Sequence, residues 1–331
     1  MVDRLWYGSG RPLWPLWPLA WLYRFITRRR RQAFLGGRRV ATRPPVPVIV
    51  AGNITAGGTG KSPLTLAIVE HLKASGWRPA IVSRGYGGKA DHYPLRVRND
   101  TPANICGDEP RMLADQAQVP VIVDPMRARG AIWAYDEGLA DVLVCDDGMQ
   151  HYALGRDIEI AVFDGERGLG NGAPIPVGPL REDASRLGAV DAVVFNGRGI
   201  ANIDHRHTAV MQLEPVGLAN VVSGERQPVA WLSGRTVSAI AGIGNPERFF
   251  RTLRQLGAEV SARALPDHHE IQQGDLERPA GQPLIMTAKD AVKCRFLADG
   301  DCWALEIRAS LPGTFWTMLD MRLAELTRTP A

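Results

Sequence analysis

The segment best suited to chemistry is a glycine-rich loop that ends in lysine and serine. Its sequence, Gly52-Asn-Ile-Thr-Ala-Gly-Gly-Thr-Gly-Lys-Ser62, follows the apolar run Val48–Ala51 and precedes a predicted helix with Pro63 in its first turn. Small residues let successive backbone N–H groups turn toward a phosphate, and the helix N-terminus adds partial positive charge. In such a loop Lys61 lies on the β- and γ-phosphates of a nucleotide, and the Ser62 hydroxyl lies on Mg²⁺.

This loop predicts a nucleotide-binding site. The usual pattern has glycine six positions before the lysine, where this chain has threonine. The alternative is a structural glycine turn, but a strand before the loop and a helix after it favour phosphate binding. The residues expected to bind the nucleotide are Thr55, Ala56, Gly57, Gly58, Thr59, Gly60, Lys61 and Ser62.

A pair of acids ends another apolar run. Val142-Leu-Val-Cys-Asp-Asp-Gly148 is a predicted strand that finishes in Asp146 and Asp147. A phosphate-binding loop of this kind requires an acid to hold its metal ion. A plain turn can also begin with Asp-Asp-Gly. Because the glycine-rich loop is present, we expect one of the two carboxylates to hold Mg²⁺, directly or through water.

Two further polar motifs have both a functional and a structural interpretation. Ser83-Arg-Gly-Tyr-Gly-Gly-Lys89 follows a predicted strand and carries the positive charges of Arg84 and Lys89. It is either an anion-binding loop or a basic turn in solvent. His151, which follows the acidic pair, is either a hydrogen-bonding group beside a ligand or a loop histidine. Residue types alone leave these alternatives open.

Two other motifs contain groups suited to proton transfer. Gly107-Asp-Glu-Pro110 places Asp108 and Glu109 just before a predicted helix. There a carboxylate either caps the helix or acts as a general base or metal-site acid. Asp267-His-His269 brings two of the seven histidines beside a carboxylate, an arrangement that can orient an imidazole for acid–base catalysis.

The composition indicates a folded protein of moderate size. The chain has 331 residues, of which 45% are hydrophobic and 22% charged, enough for about two domains of ~150 residues. This excludes disordered chains, collagen and small disulfide scaffolds. The four cysteines form no C-x-x-C pair, which argues against a zinc ribbon or a secreted disulfide framework and indicates buried thiols in a reducing compartment.

The N-terminal segment is strongly basic and rich in tryptophan. Residues 1–43 hold ten arginines and one acid, whereas the rest of the chain has a net charge of −5. This asymmetry favours an anchor on an anionic surface over nucleic-acid binding. The apolar run of residues 13–26 is shorter than the about 20 residues of a spanning helix, and four of nine tryptophans lie in the first 21 positions. We therefore expect peripheral membrane association.

This interpretation of the N-terminal segment has two alternatives. A signal peptide is one, although the charges here follow the apolar stretch and no A-x-A cleavage site is present. An amphipathic helix packed on the protein's own body is the other.

These motifs are connected by apolar, β-rich runs that alternate with helical stretches, and we expect those strands and helices to position them. Besides the first strand, the predicted strands are Ala80–Ser83, Val119–Val123, Val142–Cys145, Ile158–Phe163, Ala192–Phe195, Ala239–Gly242, Leu284–Met286 and Trp303–Ile307. The predicted helices include Leu64–Ser75, Arg111–Gln116, Met126–Glu137 and Arg248–Leu256. The pattern predicts an α/β fold resembling P-loop NTPases, with a mostly parallel sheet, helices on both faces and a second, smaller α/β domain.

The expected division of the chain has four parts. Residues 1–43 form the basic, Trp-rich membrane-associating region, and 44–152 the phosphate-binding domain. Residues 153–310 form the second α/β domain. Residues 311–331 form a C-terminal helix that can return to the first domain. Ligands of such sheets bind at the carboxyl ends of the strands.

Eight motifs in chain order resemble those of the tetraacyldisaccharide 4′-kinases, the lipid A 4′-kinases of Gram-negative bacteria. They are Gly52-Asn-Ile-Thr-Ala-Gly-Gly-Thr-Gly-Lys-Ser-Pro63, Ser83-Arg-Gly-Tyr-Gly-Gly88, Gly107-Asp-Glu-Pro110, Asp146-Asp-Gly-Met-Gln-His151, Gly178-Pro-Leu-Arg-Glu182, Gly242-Ile-Gly-Asn-Pro246, Pro266-Asp-His-His269 and Thr287-Ala-Lys-Asp-Ala-Val-Lys293. Threonine at the first loop position is usual in that family. Met149 stands where the family commonly has phenylalanine, and Ala288 where it often has glutamate.

The resemblance implies transfer of the γ-phosphoryl group of ATP to the 4′-hydroxyl of a tetraacylated glucosamine disaccharide 1-phosphate, with Mg²⁺ as second cofactor. It implies a peripheral or monotopic protein on the cytoplasmic face of the bacterial inner membrane. Its partners are then a lipid A disaccharide precursor and an anionic membrane surface, without nucleic acid. The fold implied is two α/β domains with the active site in the cleft between them.

The same resemblance assigns roles to individual side chains. Asp108 is similar to the base that accepts the sugar hydroxyl proton, supported by one histidine of the Asp267-His-His269 run. The residues placed in the reaction are Asp108, Lys61, His268, His269, Asp147 and Arg181, and the metal ligands are Ser62, Asp146 and Glu182.

Two rival functions remain from the residues alone. One is a membrane-associated P-loop NTPase that couples hydrolysis to a partner protein. The other is a soluble small-molecule kinase whose N-terminal helix is only packed on its body. Dependence of ATP consumption on a glycolipid acceptor separates the NTPase from the lipid kinase. Deletion of residues 1–30 separates the soluble kinase, which should then stay active on dispersed substrate with unchanged membrane association.

Overall fold

Strands and helices alternate along most of the chain in the computed structural model, which describes residues 5–8, 14–197, 203–267 and 269–328. The α-helices are α1 (Trp17–Leu35), α2 (Lys61–Ala74), α3 (Ala103–Cys106), α4 (Asp108–Ala117), α5 (Arg127–Asp136), α6 (Pro246–Gln255), α7 (Ala288–Cys294) and α8 (Gly313–Arg328). Short 3₁₀ helices span Trp14–Leu16, Ala184–Ala189, Val229–Leu232 and Gln273–Leu276. The strands are β1 (Val48–Gly52), β2 (Pro79–Ser83), β3 (Leu95–Arg96), β4 (Val121–Val123), β5 (Val142–Asp146), β6 (Ile158–Asp164), β7 (Ala192–Asn196), β8 (Thr208–Asn220), β9 (Arg226–Gln227), β10 (Thr236–Ala241), β11 (Glu259–Ala264), β12 (Leu284–Thr287) and β13 (Cys302–Ser310).

The chain forms two compact units, and it enters each of them more than once. Unit 1 takes in the described residues of Met1–Arg84, Val119–Gln212 and Ala309–Ala331, and unit 2 those of Gly85–Gln118 and Leu213–Arg308. This division differs from the expected boundary near residue 152, because β6 and β7 hydrogen-bond into the sheet of unit 1. Helix α8 also belongs to unit 1.

Unit 1 is built on a parallel sheet. Its strand order is β4-β2-β5-β1-β6-β7, followed by the first part of β8, and each neighbouring pair is parallel. Strands β1, β2, β4, β5, β6 and β7 are buried along their whole length, as expected for a sheet covered on both faces. The prediction of a mostly parallel sheet is therefore confirmed.

The register of this sheet brings polar residues to one edge. Ala51, next to the end of β1, pairs with Asp146 at the end of β5, and Asp164 at the end of β6 pairs with Asn196 at the end of β7. Because all these strands are parallel, their carboxyl ends share the edge at which ligands of such sheets bind. The glycine-rich loop leaves β1 at this edge.

The helices of unit 1 cover the sheet. Helix α2 buries Leu64, Ile68 and Leu72 and contacts β1, β2 and β5, and α5 contacts β2 and β4. Helix α8 is joined to α2 by a stack of the His71 and Trp316 rings, whose centroids are 4.4 Å apart. Helices α2 and α5 thus pack on the sheet, and each begins at the carboxyl edge because it follows a strand of this sheet.

Helix α1 has one face on the protein and one face in solvent. Ala20 is fully buried and packs with Ala173 and Val177, and the Arg24 guanidinium lies 2.6 Å from the Asp183 carboxylate. The exposed side chains on the helix include Leu19, Trp21, Leu22, Phe25 and Ile26. Within the described part of the chain, no helix combines the length and apolar character needed to cross a bilayer.

Unit 2 has its own sheet, ordered β11-β10-β12-β13-β8. The first four strands are parallel, and β9 adds an antiparallel partner to β8. Helix α6 connects β10 to β11, and α7 connects β12 to β13. Helices α4 and α7 pack against each other, which brings the start of α4 next to lysine side chains of α7.

Candidate active site

The glycine-rich loop has a backbone conformation that residues with a Cβ atom rarely adopt. Gly57 has φ +107° and Gly60 has φ +93°, both in the left-handed region. Gly60 is also the N-cap residue of α2, and a Cβ there would lie 2.5 Å from Nδ2 of Asn196. Glycine is therefore required at position 60 by both conformation and space. Gly57 and Gly58 are exposed, so a ligand can reach the tip of the loop.

Side-chain amides hold the loop from inside. Nδ2 of Asn53 lies 3.4 Å from Oγ1 of Thr55 and 3.2 Å from Oγ1 of Thr59, and donates to both. Asn196 donates to the Thr59 carbonyl at 3.2 Å, and Gln150 to the Asn53 carbonyl at 2.9 Å. Thr55, which replaces the usual first glycine, is buried and takes part in this network, so its side chain shapes the loop.

A second segment pairs with the loop on its other side. The Ala56 amide donates to the Pro179 carbonyl at 2.7 Å, and the Arg181 amide donates to the Ile54 carbonyl at 2.7 Å. Backbone pairing thus fixes Arg181 beside the loop. The resemblance had placed this arginine near the phosphates, and the structure brings it to the same edge as the loop.

Lys61, Asp147 and Arg181 form a charged cluster where the loop meets α2. The Lys61 ammonium is 3.8 Å from Oδ1 of Asp147, and Nη1 of Arg181 is 3.2 Å from Oδ2. Burial by itself would raise the pKa of Asp147, but the charges of Lys61, Arg181 and Arg127 outweigh it and hold that pKa below its usual range. Asp147 is therefore an anion that orients two cations.

Asp146 and Ser62 fit a magnesium site that has few ligands from the protein. The Asp146 carboxylate is buried and accepts from Oγ1 of Thr65 at 3.0 Å. Thr65 is three residues after Ser62 on α2, so the two hydroxyls share a helix face. Among the residues that the structure describes, no cluster of three or more histidine, cysteine or acidic side chains could hold a metal. Mg²⁺ commonly uses one or two protein oxygens with substrate phosphates and water, so these residues fit it.

Glu182 lies in a different set of contacts. Its carboxylate accepts from the Tyr152 hydroxyl at 2.7 and 2.8 Å and lies 3.4 Å from Nε of Arg186. Burial raises the pKa of Glu182. Its hydrogen bonds therefore come from Tyr152, whereas Asp146, which it was predicted to join at the metal ion, accepts from Thr65 of α2.

His151 is a half-buried loop histidine in a positive environment. Burial, together with the charges of Arg127 and Arg156, lowers its pKa to about 4. Its Nε2 atom has no hydrogen-bond partner among the described residues. The imidazole is thus neutral near pH 7, and the structure shows the Arg156 guanidinium bonded to the His151 carbonyl instead of to the ring.

Asp108 is the first residue of α4 in unit 2. The helix begins after Gly107, which is its N-cap residue and has φ +95°. Asp108 and Glu109 therefore lie in the first turn of the helix and not at its N-cap position. A Cβ on Gly107 would lie 2.7 Å from the Tyr86 carbonyl, and one on Gly88 2.6 Å from the Ile105 carbonyl. The glycines of the 83–89 motif thus allow close packing beneath the start of α4.

Two lysines of α7 contact the acids at the start of α4. The Lys293 ammonium lies 3.8 Å from Oδ2 of Asp108. The Lys289 ammonium lies 3.5 Å from Glu109 and 3.2 Å from Asp267. Burial would lower the pKa of Lys289, but these carboxylates raise it above its usual value, so the ammonium stays charged.

The histidine motif has a different carboxylate partner from the one expected. Nε2 of His269 is 2.8 Å from Oδ2 of Asp275, whereas Asp267 contacts Lys289. A hydrogen bond from the Gln272 amide, together with His269, lowers the pKa of Asp275. The imidazole is therefore oriented by Asp275. His268 lies outside the described residues.

Sequence reasoning missed several residues that hold these sites. They are Asn53, Thr65, Asn196, Lys289, Asp290 and Lys293. The lysines carried a usable signal, because the chain has only five lysines among its 39 basic residues. The two asparagines and the threonine carried none, since their roles depend on strand register.

Comparison with known proteins agrees with this geometry. The family model of the tetraacyldisaccharide-1-P 4′-kinases matches residues 12–324. The chain belongs to this family. The family match includes both the glycine-rich loop and the start of α4, so both clusters lie within the matched region.

Individual relatives in this kinase family cover almost the whole chain. A tetraacyldisaccharide 4′-kinase of Pseudomonas aeruginosa is 45% identical over 322 residues, which are 97% of this chain and 96% of the relative. That of Vibrio cholerae is 46% identical over 316 residues, or 93% and 92%. The crystal structure of an apo form of LpxK from Aquifex aeolicus in complex with ATP has a TM-score of 0.79 at 27% identity and covers 93% of this chain and 98% of that one.

Proposed function

We propose that this chain transfers the γ-phosphoryl group of ATP to the 4′-hydroxyl of a tetraacyldisaccharide 1-phosphate. The observation that carries the proposal is the Lys61–Asp147–Arg181 cluster at the end of a phosphate-binding loop, in a chain of this kinase family. The residues proposed to bind ATP lie in unit 1, and the residues proposed to act on the acceptor hydroxyl lie in unit 2.

Binding and transfer of the γ-phosphoryl group require cations next to the negative charge that develops on that group in the transition state. Phosphoryl transfer depends mainly on positioning and electrostatic stabilisation. Lys61 and Arg181 supply two cations whose orientation Asp147 fixes before the reaction. Such preorganised charges need little rearrangement in the transition state.

A magnesium ion is proposed to be held by Ser62 and Asp146. When bound, it neutralises phosphate charge and aligns the leaving group. The hydrogen bond from Thr65 keeps the Asp146 carboxylate fixed on the Ser62 side of α2. Glu182 is not included, because its carboxylate is engaged by Tyr152 and Arg186.

In the acceptor half, Asp108 is proposed to take the proton from the sugar hydroxyl. Its position at the first turn of α4 presents the carboxylate at a helix N-terminus, where an anion is stabilised. His269 is the described histidine proposed to assist, and Asp275 holds its ring in one orientation. A general base of this type contributes about 10²–10⁴-fold to the rate.

The acceptor carries acyl chains, so we propose that the protein works at the cytoplasmic face of the bacterial inner membrane. Six large apolar side chains are exposed on α1, which also carries a run of arginines, Arg28 to Arg31. Apolar and aromatic side chains insert at the headgroup level, and arginines bind anionic lipid phosphates. The acceptor can then keep its acyl chains in the bilayer.

The test is acceptor dependence of ATP consumption. The purified full chain is incubated with labelled ATP and Mg²⁺, with and without tetraacyldisaccharide 1-phosphate in detergent micelles. We expect label in the lipid fraction only with the acceptor, and loss of that label in Lys61→Ala but not in Lys73→Ala, which removes an exposed lysine of the same helix. A rate of ATP hydrolysis that does not depend on the glycolipid but rises when a protein partner is added would instead identify an NTPase.

A further inference from the structure

A fully buried carboxylate lies on α7 in unit 2. The Asp290 side chain is 0% exposed. Its Oδ2 accepts from the Gly242 amide at 3.0 Å and from Oγ1 of Thr287 at 2.6 Å, and its Oδ1 lies 3.0 Å from the Lys293 ammonium. A buried ion is costly unless every partner is in place, and these partners satisfy it. The Asp290 carboxylate therefore has one preferred position.

Lys293 is fixed in turn by Asp290. Its side chain is 6% exposed, and it lies one turn after Asp290 on the same helix. A Cβ on Gly242 would come 2.9 Å from Oδ1 of Asp290 and 3.5 Å from the Lys293 ammonium, so glycine leaves room for this pair. A long lysine side chain normally samples many rotamers, and the buried pair removes that freedom.

The fixed ammonium points toward the start of α4. It lies 3.8 Å from Oδ2 of Asp108, and α4 packs against α7. We infer that Lys293 is a positioning residue for Asp108: Asp290 fixes the ammonium, and the ammonium holds the Asp108 carboxylate in the orientation and charge state of a base. This inference rests on the role proposed above for Asp108.

The charges around Asp108 determine what removal of Lys293 should do. On α7, Lys289 and Lys293 are positive and Asp290 is compensated, and on α4 Glu109 is negative. The Cys106 thiol is neutral, because burial raises its pKa to about 11. Loss of one ammonium disfavours the ionised carboxylate, so a higher pH is needed to generate the base.

The experiment compares Lys293→Met with Arg295→Met, which removes an exposed charge just after the same helix. Acceptor-dependent kcat and KM for ATP are measured against pH. For Lys293→Met we expect kcat to fall about 10-fold or more with KM for ATP unchanged, and the acid limb of kcat to move up by about one pH unit. Arg295→Met should match the wild type, and Lys293→Arg should recover most of kcat and the wild-type acid limb.

A second variant covers the case in which Lys293→Met fails to fold because Asp290 is left as an uncompensated buried charge. Asp290→Asn with Lys293→Met removes both charges together, which avoids a lone buried ion. We expect a folded protein with the same lowered kcat and shifted acid limb. Wild-type kcat and an unshifted limb in either folded variant would overturn the inference. Absence of acceptor-dependent transfer in the wild type would overturn the proposed function instead.

Discussion

The ammonium of Lys61 lies 3.8 Å from the Asp147 carboxylate, which also binds Arg181 at 3.2 Å. One acid therefore orients two cations at the end of the phosphate-binding loop. Asp147 itself has φ +50°, a conformation that aspartate tolerates better than most residues, in the turn after β5. The turn thus directs the carboxylate toward Lys61 and Arg181.

Asp147→Asn is expected to lower kcat by about 10²-fold, because it removes the charge that orients both cations. Steady-state kinetics with the lipid acceptor measure this change. Asp141→Asn, which alters a half-buried acid that pairs with Arg78 before β5, is the matched control. Equal kcat values for Asp147→Asn and the control would contradict the role given to Asp147.

Gly60→Ala tests the fit of the loop. The new Cβ meets Asn196 at 2.5 Å at a residue with φ +93°, so we expect weaker ATP binding and a free energy of unfolding reduced by about 2–4 kcal/mol. Gly76→Ala is the control, because its φ is +86° with no atom within 4 Å of the added Cβ. That variant should lose about 1 kcal/mol with unchanged ATP affinity. Calorimetry and ATP titration distinguish the two; equal losses would contradict the steric account.

Asp108→Asn is expected to lower kcat by about 10²–10⁴-fold with little change in the Kd for ATP, because it removes a base without touching the loop. Single-turnover kinetics and ATP titration measure the two quantities separately. Glu270→Gln, which neutralises an exposed acid next to His269, serves as control. A normal kcat for Asp108→Asn would remove Asp108 from the reaction.

His151→Gln tests the half-buried, neutral imidazole. The native ring has a pKa of about 4, whereas the unfolded ring titrates near ~6.5, so between these values only the unfolded chain binds the proton. Native stability should therefore fall as pH drops from 6.5 to 4, by on the order of 1–2 kcal/mol after screening. Urea unfolding across this range should show a shallower pH dependence for the glutamine variant than for the wild type. An unchanged slope would mean that His151 is protonated in the native state.

The exposed face of α1 predicts lipid binding. Trp21 is 62% exposed, Phe25 59% and Ile26 55%, and their replacement by serine should release the protein from vesicles that contain anionic lipid. Phe296→Ser is the control, since that ring is 89% exposed but lies in unit 2. Co-sedimentation with vesicles checks this, and retention of the triple variant at the wild-type level would contradict the membrane role of α1.

The parallel core of unit 1 could be predicted because strands buried on both faces are continuous apolar runs. Strands β8 and β11 were missed for the opposite reason. In β8 exposed and buried residues alternate around Pro215 and Gly217, and β11 is an exposed edge strand with polar residues. Helix α7 was also missed, since seven residues with three charges show no helical stripe.

The candidate site was predicted where chemistry depends on neighbours in the chain, as in the glycine-rich loop and the Asp146–Asp147 pair. It could not be predicted where partners come from distant segments. The carboxylate that contacts His269 belongs to Asp275, and Asp267 pairs with Lys289. Both contacts form because the loop after β11 folds back on itself and on α7. Each unit is built from separate stretches of the chain because strands pair across long sequence distances. Local composition does not indicate which strands pair, so this division could not be predicted.

The central claim is that this chain phosphorylates a lipid-linked sugar. The most direct measurement is the position of the new phosphomonoester after incubation with labelled ATP and tetraacyldisaccharide 1-phosphate, determined by mass spectrometry and phosphorus NMR. The account predicts one added phosphate, on the 4′-oxygen of the distal glucosamine, and none with Lys61→Ala. Label released only as inorganic phosphate, or a phosphate on another position, would contradict it.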